Sequence, residues 1–311
     1  MRFIKLILIS LAAITIGLVA FVYLAPVKTT SFLINADRHR SGLVRREIVL
    51  PDGLRYVYLE GGKGTPLMLL HGFGANKDNF TWIARFLTPH FHLIIPDHIG
   101  FGESSHPQNA DYSPPAQAKR LRAFAHSLGI KRLHLGGSSM GGQIAMTYAA
   151  LFPAEVESLW LLDPAGIWSA PKTDFQRIYA ETGRNSLMVE TGDDFATVMN
   201  VVMNKPPFLP RPVMNVLAQE RIANHALEEI IFKQIGADSV EKRVSGLSVP
   251  TLIVWGENDR VLSVSAGEAL HKLLPKSKLI IMPYVGHLPM MEQPKQCAED
   301  YLMFRSSLLA R

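Results

Sequence analysis

Gly136-Gly137-Ser138-Ser139-Met140-Gly141-Gly142 puts four glycines into seven residues of a chain that is 48% hydrophobic overall. Arg132-Leu133-His134-Leu135 before it reads as the end of a strand, and Gln143 to Ala150 after it reads as a helix. A strand that becomes a helix within two residues forces its apex residue into a strained backbone conformation. Glycines two positions before and after keep side-chain bulk out of that bend. The apex here is Ser139, framed as G-x-S-x-G by Gly137 and Gly141. Such a serine stands above a sheet with the positive end of the next helix behind it, a setting that suits a nucleophile. A glycine-rich turn carrying an idle serine is the plain alternative, and the rest of the chain decides between the two.

Outward from the turn, the chain alternates strand and helix. Arg46 to Leu50 and Arg55 to Leu59, joined through Pro51-Asp52-Gly53, read as a hairpin. Short apolar runs follow at 67–70, 93–95, 159–162, 252–255 and 279–282, with helical patterns between most of them, such as 114–128 and 266–274. Continuous apolar strands alternating with helices predict a mostly parallel sheet covered on both faces, an α/β fold. Ligands in such sheets bind at the carboxyl ends of the strands. Those ends carry His71-Gly72-Phe73-Gly74, Pro96-Asp97-His98-Ile99-Gly100, the Ser139 turn, Asp163-Pro164-Ala165-Gly166, Gly256-Glu257-Asn258-Asp259 and Gly286-His287. A serine, then an acid, then a histidine is a nucleophile–orienter–base order.

Composition bounds the remainder. At 311 residues with 19% charged residues, 20 prolines and 23 glycines, the chain is globular rather than disordered. A single cysteine, Cys297, excludes an internal disulfide and a cysteine-based zinc site. No phosphate loop, metal cluster or dinucleotide motif stands out, because Gly100-Phe101-Gly102 lacks a third glycine; no cofactor is expected. No interleaving of basic and aromatic residues points to nucleic acid.

The N-terminus is apolar. Arg2 and Lys5 precede a twenty-residue uncharged run from Leu6 to Ala25, which as a helix spans about 30 Å, a bilayer's hydrocarbon thickness. A cleaved signal peptide competes, but Tyr23-Leu24-Ala25 before Pro26 makes a poor cleavage junction. An uncleaved single-pass signal anchor over residues 1–27 is expected, followed by a juxtamembrane segment over 28–44. Phe32-Leu33-Ile34 beside Lys28, Arg38, Arg40, Arg45 and Arg46 reads there as a basic juxtamembrane helix rather than a free linker. The net charge of +5 fits a surface held close to anionic lipid. In a bacterium the N-terminal charges place the rest of the chain in the periplasm, on the outer side of the inner membrane. Ala13 and Gly17 are spaced to let two such helices approach, so a weak homodimer through the anchor is weighed against a monomer on a passive tether.

The segment from Arg45 to Leu309 resembles the α/β-hydrolases, and within them is most similar to monoacylglycerol lipases and related membrane-anchored lipases. The resemblance rests on HGFG at 71–74, PDHIGFGES at 96–104, GSSMGG at 137–142, WGENDRV at 255–261 and GHLPMMEQP at 286–294, in this order over the whole soluble part. It implies a core of residues 45–166 and 247–311 with a helical cap inserted over 167–246. It also implies a serine hydrolase with Ser139 as nucleophile, His287 as base and Asp259 as the acid that orients the histidine. Asp163, after the preceding strand, and Glu257 are the rivals for that acid; Asp163 is otherwise expected to cap its own Pro-Ala-Gly turn. The backbone amides of Phe73 and Met140 sit where an oxyanion needs donors, and His71 is expected to brace its loop. His98, His106, His134, His225 and His271 are given no role.

Within 167–246, Met188, Met199, Met203 and Met214 with Phe175, Phe195, Phe208 and Phe232 are expected to line an adaptable apolar cavity. A capped apolar pocket over a serine favours a lipid acyl ester: a monoacylglycerol, a lysophospholipid or a phospholipid. Carbon–carbon bond hydrolases acting on meta-cleavage products share the SMGG turn, the residue order and the cap, but want polar or basic cap residues for a carboxylate. A non-catalytic lipid-binding protein with a vestigial triad is the alternative from another class.

Overall fold

The structure is a computed structural model and describes residues 2–309. Eight strands form one sheet: β1 (Leu43–Val49), β2 (Arg55–Gly61), β3 (Thr65–Leu70), β4 (Phe91–Pro96), β5 (Leu133–Ser138), β6 (Val156–Leu162), β7 (Thr251–Gly256) and β8 (Ser277–Met282). Their order is β1-β2-β4-β3-β5-β6-β7-β8. The hairpin β1–β2 and the β2–β4 pair are antiparallel; every pair from β4 to β8 is parallel. Edge strand β1 exposes Arg45, Arg46 and Glu47, charges that discourage edge-to-edge pairing with another molecule.

The apolar runs are buried on both faces, and the two-residue period of a strand splits them between two cores. Met68, Leu70, Leu159, Leu161, Ile253 and Trp255 join the cluster on one face. Leu67, Leu69, Trp160, Leu162, Leu252 and Val254 join the cluster on the other. The first face is covered by α4 (Pro114–Ser127) and α5 (Met140–Leu151), which contribute Leu121, Phe124, Ile144 and Tyr148. Helices α3 (Thr81–Leu87) and α12 (Pro294–Leu309) cover the second, where Trp160 stacks on Tyr301 at 4.3 Å between ring centroids. Helices α10 (Ser265–Leu273) and α11 (Pro289–Glu292) complete the layers.

Between β6 and β7 the alternation stops. Four helices fill the gap: α6 (Asp174–Thr182), α7 (Gly192–Val202), α8 (Arg211–Ala237) and α9 (Glu241–Val244). Thr173 with Gln176 and Thr191 with Asp194 form reciprocal capping boxes that start α6 and α7. Pro210 and Pro212 flank the start of α8, where a missing N–H costs nothing.

The N-terminal run forms α1 (Arg2–Leu24), long and apolar enough to cross a membrane, with Leu8, Ile9, Ile16 and Val19 all exposed. Met1, whose retention the anchor reading requires, and the Ala13 side chain of the Ala13–Gly17 spacing lie outside the described residues. Helix α2 (Pro26–Arg40) follows at once and packs against α3, α8 and β1. The expected basic surface is thereby largely neutralised. Arg38 gives both Nε and Nη2 to the Asp78 carboxylate at 2.7 Å, Arg40 meets Asp37, Arg45 meets Glu103, and Arg46 reaches Glu60 at 3.5 Å. Trp82 Nε1 donates to Asp37 and Ser41 Oγ to the Thr81 carbonyl. The basic segment is a helix, as expected, but one docked onto the body of the protein rather than offering a free cluster of cations.

Asp78→Ala leaves the Arg38 guanidinium, only 14% exposed, without its carboxylate. The loss is expected to cost about 1–3 kcal/mol, read as a fall of a few degrees in Tm by thermal unfolding. An unchanged Tm would show that α2 is not held by this pair.

Candidate active site

Ser139 adopts φ 52 and ψ −119, a positive φ for a residue with a side chain. Such strain costs on the order of 1–3 kcal/mol and persists only where surroundings enforce it. Here the Ser139 N–H donates to the Leu162 carbonyl of β6, and the Ser139 carbonyl accepts from Gln143 and Ala165, each at 3.0 Å. Close approach explains the flanking glycines: a Cβ on Gly141 would overlap the Leu70 carbonyl, and one on Gly142 would stand 2.6 Å from Pro164 Cβ.

Asp259 and His287 follow β7 and β8, on the sheet edge where β5 ends in Ser139. His287 Nδ1 donates to Asp259 Oδ2 at 2.7 Å. Asp259 Oδ1 accepts from the Val261 and Leu262 amides at 2.7 and 3.0 Å, so both carboxylate oxygens have donors and the group is oriented. With Nδ1 held this way, the remaining lone pair of the ring is on Nε2, the arrangement a base requires. Ser139 Oγ makes no hydrogen bond to His287 among the described residues; such bonds are commonly long until substrate closes the site.

The His287 loop is clasped from outside. Glu292 Oε1 accepts from the Gly286 amide and Oε2 from the Asn204 amide, each at 2.8 Å, while the His287 amide donates to Val202 O at 2.8 Å. Residues at the end of α7 are thus tied directly to the backbone of the histidine. Asp163 is equally buried, and its role differs from the expected cap of its own turn. Its Oδ1 accepts from Gly256 N at 2.8 Å across the strand gap.

Met140 N–H lies in the first turn of α5, where a helix leaves its amides without intrahelical partners. Phe73 belongs to the loop after β3, and Gly72 brings that loop against the serine: a Cβ there would stand 3.2 Å from Ser139 Cβ. His71 braces the loop as expected, its Nδ1–H donating to Gly72 O at 2.8 Å and its Nε2 accepting from His98 N at 3.0 Å. Burial pushes its pKa down to about 3, which keeps the ring neutral. Behind it Asp97 accepts from Lys77 Nζ and from the Lys77 and Glu103 amides, joining the 71–77 and 96–104 segments through a buried ion pair.

Helix α8 lies over this loop. Phe232 meets Phe73 edge to face at 5.1 Å, and the Arg221 guanidinium sits 5.6 Å from the Phe73 ring while pairing with buried Glu228 at 2.7 Å. Gln143 Nε2, at the start of α5, donates to the Ile235 and Asp238 carbonyls and fastens the other end. Of the eight residues expected to line an apolar cavity, Phe232 packs on the main core and against the Phe73 and Tyr179 rings. Phe175, Phe195 and Met199 pack against the main core, Met203 is buried, and Met188 and Met214 are half-buried. Phe208 is a correction: the proline-rich connection carries it outward, 91% exposed. Sequence reasoning also passed over Glu292, Asn204, Arg221 and Glu228. Glu292 stood inside the quoted GHLPMMEQP stretch, and its spacing of six from Gly286 was the one available signal.

Residues 65–294 match the alpha/beta hydrolase fold family, and the chain belongs to it. It is similar to Lipase 1 of Psychrobacter immobilis, 44% identical over 293 residues that cover 92% of this chain and 91% of that one. It is also similar to the monoacylglycerol lipase ABHD6 of Homo sapiens, 29% identical over 259 residues, covering 79% and 77% of the two chains. Among solved structures, the crystal structure of a membrane phospholipase A, described as a bacterial virulence factor, superposes with a TM-score of 0.88. It is 37% identical and covers 100% of both chains.

Helix α8 also brings Glu220 to the 97–102 loop. Burial, then the negative charge of Asp97, raise its pKa from 4.5 to about 6, against the pull of the Gly102 amide and Lys77. The folded protein therefore binds this proton more tightly than the unfolded chain, and stability from this group declines as pH rises from about 4.5 to about 6. Glu220→Gln is expected to raise Tm above neutral pH and to leave it unchanged in mild acid. A higher Tm for the wild type at alkaline pH would reverse this assignment.

Proposed function

We propose that the protein is a membrane-anchored carboxylic ester hydrolase that cleaves lipid acyl esters through an acyl-enzyme on Ser139. The observation that carries this reading is the His287–Asp259 hydrogen bond of 2.7 Å on the sheet edge where Ser139 holds a left-handed backbone. The similarity to named lipases, to monoacylglycerol lipases and to a membrane phospholipase A supports the ester and the lipid. Residues 45–166 and 247–311 form the catalytic core in this proposal, and 167–246 its cap.

The chemistry follows from the groups present. His287 Nε2 takes the hydroxyl proton as Ser139 Oγ attacks the ester carbonyl carbon. The charge that builds on the carbonyl oxygen is met by the Phe73 and Met140 amides, which are fixed before reaction and need no reorganisation. Asp259 stabilises the imidazolium, which then protonates the departing alcohol as the tetrahedral adduct collapses to the acyl-enzyme. Water, deprotonated by His287, attacks the acyl carbonyl; fatty acid leaves and Ser139 recovers its proton. The head group of a monoacylglycerol, lysophospholipid or phospholipid is the alcohol in each case. A dienoate-type substrate of a carbon–carbon hydrolase fits less well, because the Arg221 cation above the loop is already spent on Glu228.

In this reading α1 is an uncleaved single-pass anchor, in a bacterium placing the catalytic domain in the periplasm at the inner membrane. A weak homodimer through Ala13 and Gly17 of α1 belongs to the same proposal.

A fluorophosphonate probe is expected to label Ser139 alone, and Ser139→Ala to abolish turnover. Asp259→Asn is expected to lower kcat by about a hundred- to ten-thousandfold, since the wrong histidine tautomer results. Labelling at another serine, or activity in Ser139→Ala near wild type, sinks the assignment. Deleting residues 1–25 is expected to depress hydrolysis of vesicle-embedded lipid far more than that of a soluble short-chain ester. Equal losses on both substrates, or a mature N-terminus near Pro26, would remove the anchor.

A further inference from the structure

A second carboxyl group lies against the His287–Asp259 pair and has no part in the chemistry above. Asp163 follows β6 at once in a left-handed backbone conformation, φ 45, and is fully buried. Its amide donates to Val254 O at 3.0 Å and its Oδ1 accepts from Gly256 N at 2.8 Å, so both β7 contacts orient it. Its Oδ2 is buried and receives no donor from the protein. One oxygen of Asp163, one of Asp259 and one ring nitrogen of His287 all lie within 4.8 Å of one another.

Two carboxylates at this separation, both shut away from water, cannot both carry charge. Asp259 is the one equipped to be ionised, with two backbone amides on Oδ1 and the imidazole on Oδ2. Asp163 has a single amide for its two oxygens, so its free oxygen is an orphan acceptor unless it bears a proton. We propose that Asp163 is a positioning residue: its carboxyl group keeps its proton and donates it as a hydrogen bond to the Asp259 carboxylate, holding that carboxylate on His287. The inference rests on the Ser139–His287–Asp259 reading.

The other groups facing Asp163 agree. Glu292 on α11 adds negative charge, and the Cys297 thiol on α12, held neutral by burial, offers no compensating cation. Burial first, then the charge of Asp259, hold the Asp163 carboxyl well above the ordinary carboxylate range, against the pull of the Gly256 amide. The neutral acid leaves the full charge of Asp259 for the imidazolium while restraining the rotation of its carboxylate. A charged Asp163 would compete with Asp259 for His287 instead.

The test uses a near-isostere. In Asp163→Asn the carboxamide oxygen still accepts from Gly256 N and its NH2 still donates to Asp259. Full-length wild type, D163N and D163A are assayed on p-nitrophenyl butyrate for kcat, KM and the acid limb of kcat/KM against pH. D163N is expected to keep kcat within about threefold of wild type with the acid limb unmoved, whereas D163A loses about ten- to a hundredfold in kcat at similar KM. A D163N as impaired as D163A, an acid limb moved down by about one pH unit in D163N as a lost negative charge requires, or a D163A with wild-type turnover overturns the proposal. The wild-type protein alone supplies a second measurement: its infrared spectrum in mild alkali must contain the carbonyl band of an un-ionised carboxylic acid, and absence of the band overturns the proposal however the variants fold. Fluorophosphonate labelling of Ser139 in the same wild-type sample separates the two levels. Loss of that labelling condemns the triad reading, while labelling combined with any overturning result condemns the role of Asp163 only.

Discussion

The first turn of α5 lies so close to the end of β3 that a side chain on Gly141 would overlap the Leu70 carbonyl and stand 2.6 Å from the carbonyl of His71. Everything at the site depends on that approach. It sets the first turn of α5, which begins at Met140, and the loop of Gly72 and Phe73 against Ser139. It also explains the strain at Ser139. A strand buried on both faces must hand over to a helix without room for a gradual turn, so one residue takes a left-handed conformation, and bonds from β6 hold it there. Loosening the approach would relax the serine and part the Gly72 loop from the helix together.

Around this centre, buried charge is handled by pairing. Lys77 lies between Asp97 and Glu103, Arg221 is forked onto Glu228, and Asp259 is held by two amides and His287. The Lys77 pair joins the Phe73 loop to the 96–104 segment, while Arg221, paired within α8, ties that helix to the Leu187 carbonyl before α7. Buried pairs add little net stability over apolar packing but are costly to break on one side, so they specify geometry more than they strengthen the fold. Asp163 is a buried carboxyl that this scheme leaves without a cation.

The sheet was legible because its strands are continuous apolar runs bounded by glycine and polar turns, a pattern set by burial on both faces. Ser139 was legible for a related reason: glycine appears where backbone passes close to backbone, and that need is local. Residues whose partners are distant in sequence were not legible. Glu292 binds the amide of Asn204 from 88 residues away, and Asp163 reaches Gly256 across 93. Composition named Phe208 as a cavity residue, yet hydrophobicity carries no direction, and the rigid prolines around it point the ring outward. The cations near the N-terminus were counted correctly as charges, but their partners Asp78, Glu103 and Glu60 come from other elements and are not legible locally.

That last difference changes how an anchor would act. A flexible linker of twenty residues would let a catalytic domain roam tens of ångströms from a bilayer. Helix α2 instead begins one residue after α1, is stapled to the body by Arg38, Asp37 and Ser41, and packs on α8, the same helix whose Phe232 and Arg221 sit on the Phe73 loop. With α1 in a bilayer, the distance from the lipid surface to Ser139 is set by packed helices, not by chain entropy. The same rigidity means that motion of α8 to admit substrate is resisted at both of its attachments, through α2 on one side and through Gln143 on the other. Displacement of α8 is by this construction coupled to displacement of α2.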